Sequence, residues 1–276
     1  VGSEMCIRDR PQAAVASGGR VFMAFGHVAW HEREEPWMNT LLAVNGYNGT
    51  MLWRRPLTPG IMVDRCTMVA TPSILYLADD RSCKLLDAAT GELRGEIAAP
   101  PEAAGNTFWK WIAIESGVLY GLVGETEKQD PDARWRRTAH GWPWNEMSRG
   151  YNDPRHLWGF GTTLFALDLA SKRVLWTHQA DPPIDSRALA ARGGRIYCFH
   201  FGRYLKCLDA KTGRVIWQRT AENDPEIFQA IGTYRPEQGP IGGWKTNVYL
   251  KCTDTALYFA GPQVPWLTAL SAADGR

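Results

Sequence analysis

Short apolar runs, each with a central aromatic residue, recur along the chain: Arg20-Val-Phe-Met-Ala-Phe25, Ser73-Ile-Leu-Tyr-Leu-Ala78, Gly117-Val-Leu-Tyr-Gly-Leu122, Arg195-Ile-Tyr-Cys-Phe199 and Thr255-Ala-Leu-Tyr-Phe-Ala260. Each leads, after a turn, to a second apolar run that closes on a small polar residue and another turn. The second runs begin at Leu41, Lys84, Leu164, Leu205 and Leu267, and the clearest reads Leu205-Lys-Cys-Leu-Asp-Ala-Lys-Thr-Gly-Arg-Val-Ile-Trp217. Runs this short, bounded by Gly and Asp and rich in aromatic and branched residues, predict strands rather than helices.

The repeat has a regular interior. From Asn45 to Trp53, from Asp168 to Trp176 and from Asp209 to Trp217 the step is 8 residues, while Asp87 plus 8 lands on Gly95. The equivalent turn positions fall at 45, 87, 168, 209 and 271, in steps of 42, 81, 41 and 62. The short steps match the roughly 40–45 residues of a four-stranded propeller blade, and the long ones require insertions. The expected fold is therefore all-β: a β-propeller of four-stranded antiparallel blades, five of which are present. Extra residues are placed between the second and third strands of blades one and three, and again within Glu222–Asn247.

The repeated turn is structural chemistry. In Asp-x-x-Thr-Gly the carboxylate caps backbone N–H groups just ahead of it, and the Gly supplies the positive φ of a tight turn. Asn45, Asp87, Asp168 and Asp209 are the expected caps, and Gly91 and Gly213 the expected glycines. Trp53, Trp176 and Trp217 are expected on outer strands, each covering the next blade and donating through its indole N–H. With 13 Trp, 27 Gly and 17 Pro in 276 residues, the composition disfavours a helical bundle. A net charge of +2 gives no general field for nucleic acid, and no apolar run reaches a membrane span.

On these residues the chain resembles the pyrroloquinoline-quinone (PQQ) propeller superfamily, whose units read Leu-x-Ala-Leu-Asp-x-x-Thr-Gly-x-x-x-Trp. The resemblance runs from about Val21 to Arg276. It implies a propeller that ordinarily has seven or eight blades, so the chain is expected to be a fragment. It also implies an extracytoplasmic location in the periplasm or cell envelope. The superfamily holds both the outer-membrane assembly propeller lipoprotein and quinoprotein dehydrogenases for alcohols or sugars. The dehydrogenase branch stacks its quinone on a Trp, often beside a disulfide of adjacent cysteines, with calcium nearby. Here Cys6, Cys66, Cys83, Cys198, Cys207 and Cys252 include no adjacent pair. PQQ with calcium is therefore expected only under the alternative of a dehydrogenase fragment; otherwise no cofactor, no metal and no catalytic residue is expected.

The same residues carry smaller expectations. A two-residue loop at Gly202-Arg203 would place Cys198 opposite Cys207, with free thiols as the competing reading. Val1–Arg10 resemble translated sequencing adapter, which leaves 11–276 as partial propeller. No Cys-x-x-Cys, His-Glu-x-x-His, P-loop or Gly-x-Ser-x-Gly motif occurs.

The departure from the repeat is the insertion at about 125–160. It has six Arg or Lys against six Asp or Glu and is crowded with rings. Such a long connection is either functional or a packed excursion, and Trp, Tyr and Arg are the side chains enriched at binding hot spots. Trp135, Trp142, Trp144, Arg155, His156 and Trp158 form an expected platform for a protein, peptide or glycan. Tyr234 and Arg235, in the later excess, are expected as a second wall. The expected function is a non-catalytic binding scaffold, without nucleic acid or a membrane span and with room for a fused domain beyond this sequence.

Overall fold

The expected strands appear in a computed structural model, which describes residues 13–25, 40–57, 65–78, 81–126, 159–200, 202–232, 249–260 and 264–276. Every pairing is antiparallel between sequence neighbours. The first sheet is β1 (Ala13–Ser17), β2 (Arg20–Phe25), β3 (Thr40–Asn45) and β4 (Met51–Pro56). The second is β5 (Met68–Ala70), β6 (Ile74–Ala78), β7 (Ser82–Asp87) and β8 (Leu93–Ala98). The third is β9 (Phe108–Glu115), β10 (Val118–Gly124), β11 (Phe160–Asp168) and β12 (Val174–Asp185). The fourth is β13 (Leu189–Arg192), β14 (Arg195–His200), β15 (Tyr204–Asp209) and β16 (Val215–Thr220). Among the described residues the fifth has three strands, β17 (Tyr249–Cys252), β18 (Ala256–Ala260) and β19 (Thr268–Ser271).

These sheets fall into two compact units. The first holds the first two sheets, through Ala99; the second holds the other three, from Pro100 to Glu125 and from Gly159 onward. In the first unit, Phe22, Leu41, Leu75, Leu77 and Leu86 form a closed apolar core. In the second, Tyr197, Phe199, Leu205, Leu257 and Phe259 do the same, with Ile227, Phe228 and Ile231 contributed by α1 (Pro225–Ile231).

A bulge recurs at one point of every four-stranded sheet. Leu208 pairs with Val215, but Cys207 pairs with Trp217, so Ile216 is an extra residue in β16. The same shift occurs between Ala43 and Val44, between Leu85 and Leu86, and between Ala166 and Leu167. Because side chains alternate faces along a strand, one added residue reverses the parity of everything beyond it. The reversal puts Tyr197, Cys207 and Trp217 on one face, with the two rings 6.1 Å apart. Phe22 with Trp53, and Tyr120 with Trp176, repeat this at 5.8 Å and 6.2 Å.

The alternatives left open for Cys198 and Cys207 are decided by the strand register. The β14–β15 connection spans three residues, because His200 pairs with Tyr204, and Cys198 therefore stands opposite Lys206 rather than Cys207. The two thiols lie on opposite faces, and both are free. The excess after β16 contains a helix that the sequence reading did not place: Pro225–Ile231, opened by Pro at its start, with its apolar face buried.

Candidate functional site

In the second unit the strand connections sort to two ends. At one end lie the tight turns, which bind one sheet to the next. The carboxylate of Glu115 accepts from Gly193 N at 2.9 Å and Gly194 N at 3.3 Å. The Arg192 guanidinium meets Asp254 at 2.9 Å. An open cleft there is lined by Arg192, Arg195, Tyr197, Asp254 and Thr255. Its two cations are already engaged, Arg192 by Asp254 and Arg195 by the Ala272 carbonyl at 2.7 Å.

Within each unit the repeat residues form the tight turns. In the first, Asp87 Oδ1 accepts from Ala89 N and Thr90 N, and Asn45 Oδ1 from Tyr47 N. In the second, Asp168 caps Ser171 N, and Asp209 caps Lys211 N and Thr212 N. The Ser171 and Thr212 hydroxyls, which also donate to Asp168 and Asp209, hold those two carboxyls below the usual carboxylate range together with the backbone donors, and the backbone donors do so for Asp87. Trp53 Nε1 donates to the Ala88 carbonyl at 3.2 Å, and its ring lies over Gly91. Trp176 donates to the Ala210 carbonyl at 2.9 Å over Gly213, and Trp217 to the Ala272 carbonyl at 3.3 Å over Gly275. A second clamp, two residues after each indole, was not anticipated. Arg55 donates to the Gly91 carbonyl, Arg219 to the Asp274 carbonyl, and His178 hydrogen-bonds the Gly213 backbone. The signal was a polar residue at a constant offset from Trp.

The opposite end carries the long connections, and there buried polar groups gather around the root of the 125–159 segment. Lys110 on β9, only 4% exposed, donates through Nζ to the Glu125 carbonyl. The other root is held by Ser186 N, which donates to the Gly159 carbonyl at 2.8 Å. Ser186 sits in a short 3-10 turn between β12 and β13, opened by Asp185. Asp185 and Arg187 form a fully buried ion pair: Oδ1 accepts from Arg187 N and Nε at 2.9 Å each, and Oδ2 from Nη2 at 2.6 Å. Burial of this kind leaves a charge stranded if either partner is removed.

The register of β12 explains how its carbonyls are satisfied. Between Gln179 and Ile184 it bulges away from β11, through a cis Asp181–Pro182 bond. The carbonyl of Pro183 accepts from His200 Nδ1 at 2.6 Å, and that of Pro182 from the Tyr204 hydroxyl at 2.9 Å. The His200 ring lies 5.8 Å from both Phe160 and Tyr204. Burial depresses the His200 imidazole below its ordinary value, against the opposing pull of the Pro183 carbonyl and Asp185, while Arg203 and Lys206 depress it further. The expected platform residues Trp135, Trp142, Trp144, Arg155, His156 and Trp158, and the second-wall residues Tyr234 and Arg235, lie outside the described residues. So does most of the connection itself; its two fastenings do not.

Residues 127–237 match the family model described as outer membrane protein assembly factor BamB. The repeats have the four-stranded antiparallel form of β-propeller blades. BamB from Moraxella catarrhalis shares 12% identity, over 93% of this chain and 68% of that one, with a TM-score of 0.44. The computationally designed Ika8 protein shares 10% identity, over 95% and 70%, with a TM-score of 0.46. The Pan2 WD40 domain of Neurospora crassa shares 7%, over 95% of this chain and 62% of that one, with a TM-score of 0.54. At these identities the likeness to Pan2 speaks for the propeller fold alone. Among curated proteins no sequence matches this chain.

The resemblance of the repeat to that of PQQ-binding propellers raises the question of the quinone's calcium. Among the described residues no three His, Cys, Asp or Glu side chains converge to hold a metal. The buried carboxylate of Asp185 is turned to Arg187 through both oxygens. The described residues thus offer no donor set for the ion.

Proposed function

We propose that this chain is a non-catalytic PQQ-like propeller scaffold that binds a protein, peptide or glycan through the connections at its insertion end, outside the cytoplasm. The observation that carries the reading is the fastening of both roots of the 125–159 connection by buried donors, Lys110 Nζ and Ser186 N. A segment rich in Trp and Arg, seated on such a base, has its attachment points fixed before a ligand arrives, which reduces the ordering cost of association. The family model matched by residues 127–237 is that of an assembly factor, which fits a scaffold with protein partners.

The test compares the wild-type chain with a Trp142→Ala, Trp144→Ala, Trp158→Ala variant of unchanged circular dichroism, each immobilised and exposed to an envelope extract. A defined component retained by the wild type and lost by the variant supports the reading. Equal retention by both retires it. Reduction of a redox dye with an alcohol or sugar, after addition of PQQ and calcium, would replace the scaffold by a dehydrogenase.

A further inference from the structure

The first repeat turn differs from the others in its side chains. It reads Asn45-Gly-Tyr-Asn48-Gly-Thr50, and Asn48-Gly49-Thr50 is the one Asn-x-Ser/Thr triplet in the 276 residues. In every repeat turn the fourth position caps the backbone two residues on. Thr90 accepts from Glu92 N, Ser171 from Arg173 N, Thr212 from Arg214 N and Asp274 from Arg276 N. Asn48 does the same through Oδ1, which accepts from Thr50 N at 3.0 Å. In this turn alone the capped residue carries a hydroxyl, and that hydroxyl donates to the same oxygen.

The carboxamide is thus held by its oxygen and open at its nitrogen. Among the described residues Asn48 Nδ2 has no hydrogen-bond partner. Asn48 and Thr50 are both exposed, and nothing stands within 4 Å of where a Cβ on Gly49 would be. An indole over the glycine would not change this. Trp53 and Trp176 cover Gly91 and Gly213, yet the flanking Thr90, Glu92, Thr212 and Arg214 remain exposed. A carboxamide nitrogen is a weak nucleophile, because its lone pair is delocalised into the carbonyl. Two donors on Oδ1 draw charge onto the oxygen and make an Nδ2 proton easier to remove. A Thr hydroxyl two residues after Asn, in an exposed turn, is the arrangement that sugar transfer to asparagine requires.

We propose that Asn48 is an acceptor site for an N-linked oligosaccharide, the donor being a sugar carried on a polyprenyl diphosphate. Nδ2 attacks the anomeric carbon, and the new N–C bond forms as the bond from that carbon to the diphosphate oxygen breaks. The diphosphate leaves on its lipid, and one Nδ2 proton passes to a base of the transferase. The turn survives the reaction, since Asn48 Oδ1 keeps both donors and Asn45 Oδ1 still accepts from Tyr47 N. Of the scaffold reading the proposal uses only the location outside the cytoplasm, not the platform of Trp residues.

The test incubates the folded full chain with the lipid-linked oligosaccharide and a purified single-subunit oligosaccharyltransferase that requires only Asn-x-Ser/Thr. A free Asn-Gly-Thr peptide in the same mixture shows that the enzyme is active. Intact mass should rise by one oligosaccharide, and peptide mapping should place it on Asn48. Asn48→Gln and Thr50→Val, each of unchanged circular dichroism, should lose the mass gain, while Thr50→Ser should keep it at lower occupancy. A folded wild type left unmodified while the peptide is modified overturns the proposal. So does transfer only to chain first unfolded in urea, sugar on a residue other than Asn48, or full occupancy in Thr50→Val. Enzyme and donor are supplied, so the result does not depend on where the chain resides. The Trp142, Trp144 and Trp158 variant should be modified like wild type, which keeps failure of the platform separate from failure of this site.

Discussion

An indole ring laid over a glycine leaves no room for a methyl group between them. A Cβ on Gly213 would sit 2.5 Å from Cε3 of Trp176, and the residue holds φ at +69°. Both constraints point to Gly. Gly91 under Trp53 and Gly275 under Trp217 repeat the contact, with φ of +75° at each. Replacing Trp176 by Ala removes a buried ring and its hydrogen bond and should cost about 3–5 kcal/mol. Gly213→Ala should cost about 1–2 kcal/mol for the left-handed backbone alone, and more because the ring must move. In the Trp176→Ala background only the backbone part should remain. Urea unfolding of the two single variants and the double measures this coupling; simple additivity would mean that ring and glycine do not depend on each other.

At the level of elements, the strands and the turns that join them were legible because their signals are local. Apolar runs, an Asp cap and a Gly at fixed offsets specify a hairpin without reference to anything distant. The recurrent bulge was not legible, since nothing in Arg214–Trp217 announces that Ile216 is the extra residue; only pairing with Cys207 shows it. The choice between the two readings of Cys198 was closed to the sequence for the same reason, since it turns on one residue of register. The helix α1 was legible and overlooked: Asp224, Pro225, apolar residues at 227, 228 and 231, then Gly232, have the order of a helix start and stop. As for the binding site, its repeat-borne framework could be read, but the buried Asp185–Arg187 pair could not, because two charged neighbours in sequence usually mean a solvated turn. That pair makes a prediction for the β12–β13 connection. Arg187→Met alone takes the countercharge from a buried carboxylate and should cost about 3–5 kcal/mol, whereas Asp185→Leu with Arg187→Met should recover most of the loss. Thermal melts of the three variants decide it, and a double variant no better than the single would assign the pair a packing role instead.

For the molecule as a whole, acid should weaken the fold in two stages. Burial depresses His178, helped by the charge of Lys206 and opposed by its bond to the Gly213 backbone, and His200 is depressed as described above. The unfolded chain therefore takes up these protons more readily, so their contribution is complete above the ordinary histidine value of 6.5 and is lost as pH falls below it. Asp87, Asp168, Asp209 and Asp274 are also depressed, so their share persists until pH falls below the ordinary aspartate value of 3.8. Melting temperatures measured from pH 8 to pH 5 should decline below pH 6.5, and a His178→Gln, His200→Gln variant should flatten that decline; parallel curves would locate the protons elsewhere. The indole clamps add something that pH does not touch, which is polarity along the chain. Each ring leaves the outer strand of one blade and lands on the turn of its successor, never its predecessor: Trp176 upon Ala210, then Trp217 upon Ala272. Loosening therefore travels backward. A lesion in the Ala272–Gly275 turn undocks the fourth blade's outermost strand while sparing that strand's own hairpin, so the register of damage, followed by amide exchange, would reveal an arrow built into an otherwise repetitive architecture.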